Sequence, residues 1–284
     1  MTAKMLTGKE PAQAIKDEVA ERITKLGKRV GLATVLVGDD PASEVYVRMK
    51  HKAAAKVGMY TYDHHIPGDT PQGEVEDLVR NLNADPAVDG ILVQLPLPDG
   101  LNPDTVIDII DPGKDADGLH PYSLGLIMLE RSGGAVPATP QGIMKMLDFY
   151  DIETEGKLAV VIGRSRLVGR PMGMLLNHKA ANSTVVYAHS RTKDLESITA
   201  MADILIVAAG RPGLVTVNGV KPGAVVVDVG INRVDDQLVG DVDFDSIAEV
   251  ASAITPVPGG VGPMTIASLL LNTVALAETR AEAG

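Results

Sequence analysis

From Leu158 onward the chain alternates short apolar runs with helical stretches, and this alternation most narrows its possible folds. Strands read at 158–162, 184–188, 204–208 and 224–229, with helices at 169–179 and 194–201 between the first three. A strand that returns through a helical crossover pairs in parallel with the strand before it. The pattern is that of a doubly wound α/β unit, with helices on both faces of a parallel sheet. Strands covered on both faces read as continuous Val and Ile runs, as these do. With no Trp and only Phe149 and Phe244, the cores must be Val, Ile, Leu, Ala and Met.

The 284 residues suggest about two domains of about 150 residues each. The first half shows the same rhythm: helix 10–28, strand 32–37, helix 41–57 stopped by Gly58, strand 60–66, helix 71–83, then an apolar run from Val88 that ends at Gln94 and closing prolines. Asn102-Pro103 opens a helix to 110, since an Asn cap followed by proline is a helix start. The loose segment 133–137 and the helix opened by Thr139-Pro140 mark the passage between domains. The expected division is 1–137 with 265–284, and 138–264. A last helix, about 263–280, is long enough to leave the second domain and pack on the first.

A formal net charge of −11 argues against binding nucleic acid, which calls for a basic stripe. The absence of cysteine excludes disulfides, thiolate catalysis and Cys-ligated zinc. The first residues lack the apolar core of a signal peptide, and no apolar run approaches the ~18 residues of a membrane span. A cytoplasmic protein without membrane attachment is expected. His64 and His65 are adjacent in a strand and point to opposite faces, so no metal site is expected there.

Asp40-Pro41 follows the strand 32–37 as a helix start, which places Ser43, Tyr46 and Lys50 at i, i+3 and i+7 on one face. A hydroxyl, a ring and an amine would then project beyond the carboxyl end of a strand, where open α/β sheets bind ligands. The ordinary reading is an exposed helix face. Gln94 either caps its strand or supplies a neutral donor and acceptor. Asp117, in Lys114-Asp115-Ala116-Asp117-Gly118, sits in a solvated turn or places a carboxylate at the rim of the crevice.

The turn after strand 158–162 reads Gly163-Arg164-Ser165-Arg166-Leu167-Val168-Gly169. Ser165 takes the second glycine position of a dinucleotide fingerprint, yet Gly163 still permits the tight turn and a helix start still favours phosphate. The second strand ends in His189-Ser190-Arg191-Thr192, without the carboxylate that an NAD enzyme offers the ribose. Ser190 and Arg191, with Arg164 and Arg166 in the neighbouring turn, suit the 2′-phosphate of NADP instead, unless the arginines are merely solvated. The loop 228–232, with Ile231, leaves a strand near the expected nicotinamide ribose. The loop 255–263, with Pro258, Gly259, Gly260, Val261 and Gly262, either lets a flat ligand approach main chain or acts as a hinge.

Taken together, these segments resemble the bifunctional methylenetetrahydrofolate dehydrogenase/methenyltetrahydrofolate cyclohydrolase family over nearly the whole chain. The resemblance rests on Val37-Gly38 through Ser43, Tyr46-Val47 and Lys50; Val93 through Pro98; Lys114 through Gly118; Gly163-Arg164-Ser165 with Val168-Gly169; and Pro256 through Thr265. It implies a two-domain homodimer that oxidises 5,10-methylenetetrahydrofolate with NADP and hydrolyses the product to 10-formyltetrahydrofolate in one interdomain cleft. It also implies Lys50 as the catalytic lysine, Tyr46 as its stacking ring, Gln94 as the amide holding Lys50, Asp117 as the pterin carboxylate, Pro258 to Gly262 as the folate loop, and Gly163 to Ser165, Ser190 and Ile231 as cofactor contacts. Ala138 stands where many members carry Cys, and Ser123 where Asn is usual, which leaves the shape of the 117–125 loop open. Two alternatives remain at this point: a shikimate dehydrogenase-like NADP enzyme, which would not require the Pro-Gly-Gly-Val-Gly loop, and a non-catalytic nucleotide sensor, which could dispense with Tyr46, Lys50, Gln94 and Asp117.

Overall fold

A computed structural model describes residues 2–283. In chain order, β1 (Lys4–Met5) and α1 (Lys9–Leu26) precede β2 (Gly31–Val37), α2 (Pro41–Lys56), β3 (Tyr60–Ile66), α3 (Gln72–Ala84) and β4 (Gly90–Val93). Three helices follow, α4 (Pro103–Asp108), α5 (Pro121–Met128) and α6 (Ala138–Phe149). The strict alternation then appears as β5 (Leu158–Ile162), α7 (Gly169–Asn177), β6 (Thr184–Ala188), α8 (Leu195–Thr199), β7 (Ile204–Val207) and β8 (Val225–Asp228). A hairpin of β9 (Asn232–Val234) and β10 (Gln237–Val239), then α9 (Phe244–Ala248), β11 (Ala253–Ile254) and α10 (Val261–Ala283), complete the chain.

The chain divides into two compact units, one holding residues up to Ala12 with Thr139–Thr265, the other Gln13–Ala138 with residues from Ile266 onward. The second of these contains a parallel sheet in the order β3-β2-β4. All seven residues of β2 are buried, because helices cover both faces of this central strand. Val35, Ile91 and Val93 pack there with Val75 and Val79 of α3 and Val106 and Ile107 of α4. Arg280 of α10 donates to Val88 O at 2.6 Å and pairs with the buried Asp89 at 3.0 Å. Arg22 pairs with Glu278, tying α1 to the same helix.

The other unit holds a six-stranded sheet in the order β1-β11-β8-β7-β5-β6, parallel throughout. The doubly wound α/β reading is therefore correct. Its core includes Val160, Ile162, Leu205, Val207, Val226 and Ile254. Two expectations need correction. Residues up to Ala12 were placed with the first domain, but Lys4 and Met5 pair with Ala253 and Ile254 at the edge of the six-stranded sheet. A two-residue strand has no readable period, so only its partner reveals it. The apolar content of the last helix was also understated. Val261–Glu282 is long and apolar enough to cross a bilayer by length and composition, yet it is mostly buried within the protein. Leu269, Leu270 and Val274 are fully enclosed.

Candidate active site and dinucleotide crevice

Helix α2 starts as its sequence dictates. Asp40 accepts from Ser43 N at 2.8 Å, and Pro41 occupies the first helical position. The cap fixes the rotation of the helix, and with it the direction of residues one and two turns on. Ser43 and Lys50 are buried, and Tyr46 is half-buried with its phenol pushed up by burial. Ser43 also bonds Asp40 through its side chain, so it belongs to the cap.

Lys50, only 6% exposed, donates Nζ to Gln94 Oε1 at 3.0 Å. Gln94 continues the β4 ladder with its N–H on Val35 O, and its Nε2 donates to Leu95 O at 2.7 Å. That second bond fixes which end of the amide meets the lysine. Burial pulls the Lys50 ammonium below its ordinary value, while Asp117 acts in the opposite sense. Burial likewise pushes the Asp117 carboxyl up, against the pull of Lys50 and with a push from Asp115. The sequence candidates Lys50, Gln94 and Asp117 are thus brought together around an amine that burial disposes toward its neutral form.

The loop carrying Asp117 is held by residues that sequence reasoning did not single out. Lys114 is buried and donates to Leu82 O, Asn83 O and Asp85 O at 3.1, 2.7 and 2.7 Å, closing the carboxyl end of α3. Asp115 accepts from Leu119 N, His120 N and the Ser123 hydroxyl, the last at 2.7 Å. The shape of the 117–125 loop, open from sequence, is therefore set by a buried Ser123 serving Asp115. Gly118 has φ +71, and a Cβ there would meet the 136–137 backbone. From α10, Asn272 donates to Ala116 O and Val136 O at 2.9 and 2.7 Å, clasping both sides of the loop. Of Asp115 and Asp117 only Asp117 remains available to a ligand, because Asp115 is committed to the 119–120 backbone and the Ser123 hydroxyl.

In the six-stranded sheet the order reverses around β5 and β7, which defines the ligand crevice at their carboxyl ends. Gly163 leaves β5 with φ +125, and a side chain there would strike Ala208 O after β7. Helix α7 has no side-chain cap, while Ser165 Oγ accepts from Val168 N at 3.2 Å. Arg170 N and Met172 N are already met by Ser165 O and Val168 O, and Pro171 has no N–H, so within this first turn Gly169 carries what the helix start can offer a phosphate. Arg164 and Ser165 are exposed, as are Ser190 and Arg191 after β6. His189 accepts from Arg191 N and donates its own N–H to Thr192 Oγ1, folding that segment into a turn. Ile231, after β8, is 48% exposed.

The loop 256–262 divides internally. Pro258 and Gly259 are exposed, Gly262 is partly so, and Gly260 and Val261 are buried. Gly260 N donates to Pro256 O at 2.9 Å within the loop, and Gly8 N donates to Gly259 O at 2.8 Å from the turn before α1, so the loop is held from both. Away from these residues, ligand atoms of Asp39, Glu44 and His65 lie within 4.8 Å of one another. His65 Nε2 there meets Gly38 O and Asp39 at 2.9 and 3.1 Å, which accounts for the grouping.

A doubly wound sheet with a glycine turn at its switch point, and a second unit with a buried lysine held by a neutral amide, fit a two-unit α/β enzyme dependent on a dinucleotide. Comparisons with known proteins narrow the class. The family model described as tetrahydrofolate dehydrogenase/cyclohydrolase, catalytic domain, matches residues 6–117, and its NAD(P)-binding domain matches residues 137–281. The bifunctional protein FolD of Salinibacter ruber is 52% identical over 289 aligned positions, covering 98% of this chain and 97% of that protein. The crystal structure of the bifunctional FolD enzyme from Campylobacter jejuni has a TM-score of 0.94 at 47% identity, covering 98% of this chain and 99% of that one. The Trypanosoma brucei dehydrogenase-cyclohydrolase, complexed with NADP and an inhibitor, has a TM-score of 0.94 at 38% identity, covering 99% of each chain. The chain belongs to the tetrahydrofolate dehydrogenase/cyclohydrolase family. Neither the shikimate dehydrogenase-like nor the sensor alternative gains support.

Proposed function

We propose that this protein oxidises 5,10-methylenetetrahydrofolate with NADP and hydrolyses the resulting methenyl cation to 10-formyltetrahydrofolate. The observation that carries this reading is the buried Lys50, held at 3.0 Å by a neutral amide. A carboxylate in place of Gln94 would favour the ammonium and weaken the base.

The residues of the crevice fit a phosphorylated dinucleotide, since Gly163 leaves no room for a side chain and β6 ends without a carboxylate. Gly163, Ser165 and the first turn of α7 would hold the diphosphate. Arg164, Ser190 and Arg191 would hold the 2′-phosphate, and Ile231 would lie against the nicotinamide ribose. When bound, NADP supplies the acceptor for a hydride expelled from the methylene carbon by the adjacent nitrogen lone pair.

The hydrolytic half belongs to the protein's own groups. Neutral Lys50 takes a proton from water attacking the amidinium carbon and passes it to the departing ring nitrogen. Gln94 keeps the amine in place without charging it. Asp117 accepts from the amino-pyrimidine edge, Tyr46 stacks on the pterin, and Pro258 to Gly262 are the folate loop of the other unit. Ser43 supports Tyr46 through the helix cap. A homodimeric assembly and a cytoplasmic location accompany this reading, and light scattering after size exclusion tests the first.

Incubation with methylenetetrahydrofolate and NADP, followed by absorbance of the methenyl product, tests the dehydrogenase. A preference for NAD would overturn the 2′-phosphate reading. Lys50→Met should abolish hydrolysis of methenyltetrahydrofolate while NADP binding persists; unchanged hydrolysis would sink the assignment.

A further inference from the structure

Two buried carboxylates beside the crevice have no part in the chemistry above. Asp228, the last residue of β8, accepts from Gly230 N, Asp241 N and Val242 N at 3.0, 3.0 and 3.1 Å. Asp241, fully buried, accepts from Ala209 N, Gly210 N and Arg211 N at 2.7, 2.9 and 2.8 Å, and from Asn232 Nδ2 at 2.9 Å. Every one of these donors is an amide N–H and none is a cation. Each carboxylate also fills a slot that a glycine leaves: Asp228 lies against Gly240, and Asp241 against Gly230.

The geometry places Asp241 between two loops. Ala209 to Arg211 follow β7, and Asn232 follows the Gly230-Ile231 segment that leaves β8. The Ala208 carbonyl, one residue before the first donor, is the atom against which Gly163 packs. One carboxylate therefore ties the wall beside the phosphate turn to the wall that carries Ile231. In the order β8-β7-β5-β6, the adenosine end of a dinucleotide lies over β6, the diphosphate over β5, and the other half toward β7 and β8.

We infer that Asp241 is a positioning residue for the nicotinamide half of the dinucleotide, setting the spacing of the loops after β7 and β8. The inference rests on the NADP-dependent reading above. A carboxylate is required because both of its oxygens must accept. Asn is the same size and fits the Gly230 slot, but whichever way its amide turns, an NH2 faces two of the four donors.

The test measures binding and turnover of Asp241→Asn and of Asn232→Ala, which removes the tie from Asp241 to the β8 loop together with the longer Asn232 bonds to Val239 O and Gly240 O. Leaving two buried donors unmet should weaken NADP binding and raise its KM about 10- to 100-fold in Asp241→Asn. The effect should be about 3- to 10-fold in Asn232→Ala, where Asp241 loses one of its four donors and keeps the three from Ala209 to Arg211. Adenosine 2′,5′-bisphosphate, which reaches only the ends of β5 and β6, should bind both variants as it binds the parent, and cyclohydrolase kcat/KM should not change. A merely structural role would weaken fragment and whole cofactor in parallel. If Asp241→Asn does not fold, Asn232→Ala carries the test alone. The inference is overturned by an unchanged NADP affinity in a soluble variant, or by a parallel loss of the bisphosphate. A parent without NADP-linked turnover would overturn the functional reading instead, and the binding arm would still decide for Asp241.

Discussion

Replacing Gln94 by Glu changes one atom type at the centre of the site and tests the state of Lys50 directly. The Lys50 Nζ to Oε1 separation is 3.0 Å. A full charge at that distance, at an effective dielectric of about 20, interacts with an ammonium by about 5.5 kcal/mol. The amide oxygen already stabilises the charged lysine by roughly 1.5–3 kcal/mol. The net increment is about 3 kcal/mol, which raises the lysine pKa by roughly two units. Burial holds that pKa below its ordinary value in the parent, so the acid limb of the cyclohydrolase profile should move upward by roughly two pH units, with kcat/KM about 100-fold lower beneath it. The assay is hydrolysis of methenyltetrahydrofolate across pH, extrapolated to zero time against the uncatalysed rate. The bond from Gln94 Nε2 to Leu95 O is lost as well, so thermal unfolding is measured alongside. Gln94→Leu removes the acceptor without adding charge and should move the limb the other way. Limbs that coincide in all three proteins, or that move together, would refute the role of Lys50 as a base tuned by its neighbour.

Asp117→Asn removes the charge that holds the Lys50 pKa up, so the acid limb of kcat/KM should shift to lower pH. Loss of two charge-assisted bonds to the pterin edge should raise the folate KM at least about 100-fold. Lys114→Met strands the three carbonyls at the end of α3 and should cost about 2–4 kcal/mol in urea unfolding. NADP affinity should be unchanged in Lys114→Met, since the lysine belongs to the other unit.

Much of this arrangement follows from short-range rules. The Asp40-Pro41 cap, the Val-rich strands and the Gly163 turn depend on neighbours within a few residues, and each occurs where its local chemistry requires. Lys50 and Gln94 could be proposed from their places on one helix face with Ser43 and Tyr46 and at the end of a strand. What sequence alone did not yield depends on distant partners. Lys114 reads as part of an acidic turn until α3 brings three carbonyls to it. Asp115 and Asp117 look equivalent until Ser123 and the 119–120 amides claim the first. Asn272 lies 156 residues from Ala116, and Asp241 is 30 or more from the backbone amides it gathers. The hairpin Asn232–Val239 was missed because its turn, Asp235-Asp236 with positive φ at both residues, lacks the glycine that usually announces it.

The interleaving of the two units governs how this gene could be cut. A break after Ala138 gives a front piece that carries β1 without β11, and a back piece that carries the whole of α10 without the strand against which Thr273 packs at Gly90. Each product would lack part of its own core and hold part of the other's. Two such halves should be inert when expressed singly and should regain activity only when co-expressed, each completing the other. Exchange of one unit between relatives as a single block of coding sequence is therefore closed to this architecture; a viable chimera needs three coordinated junctions.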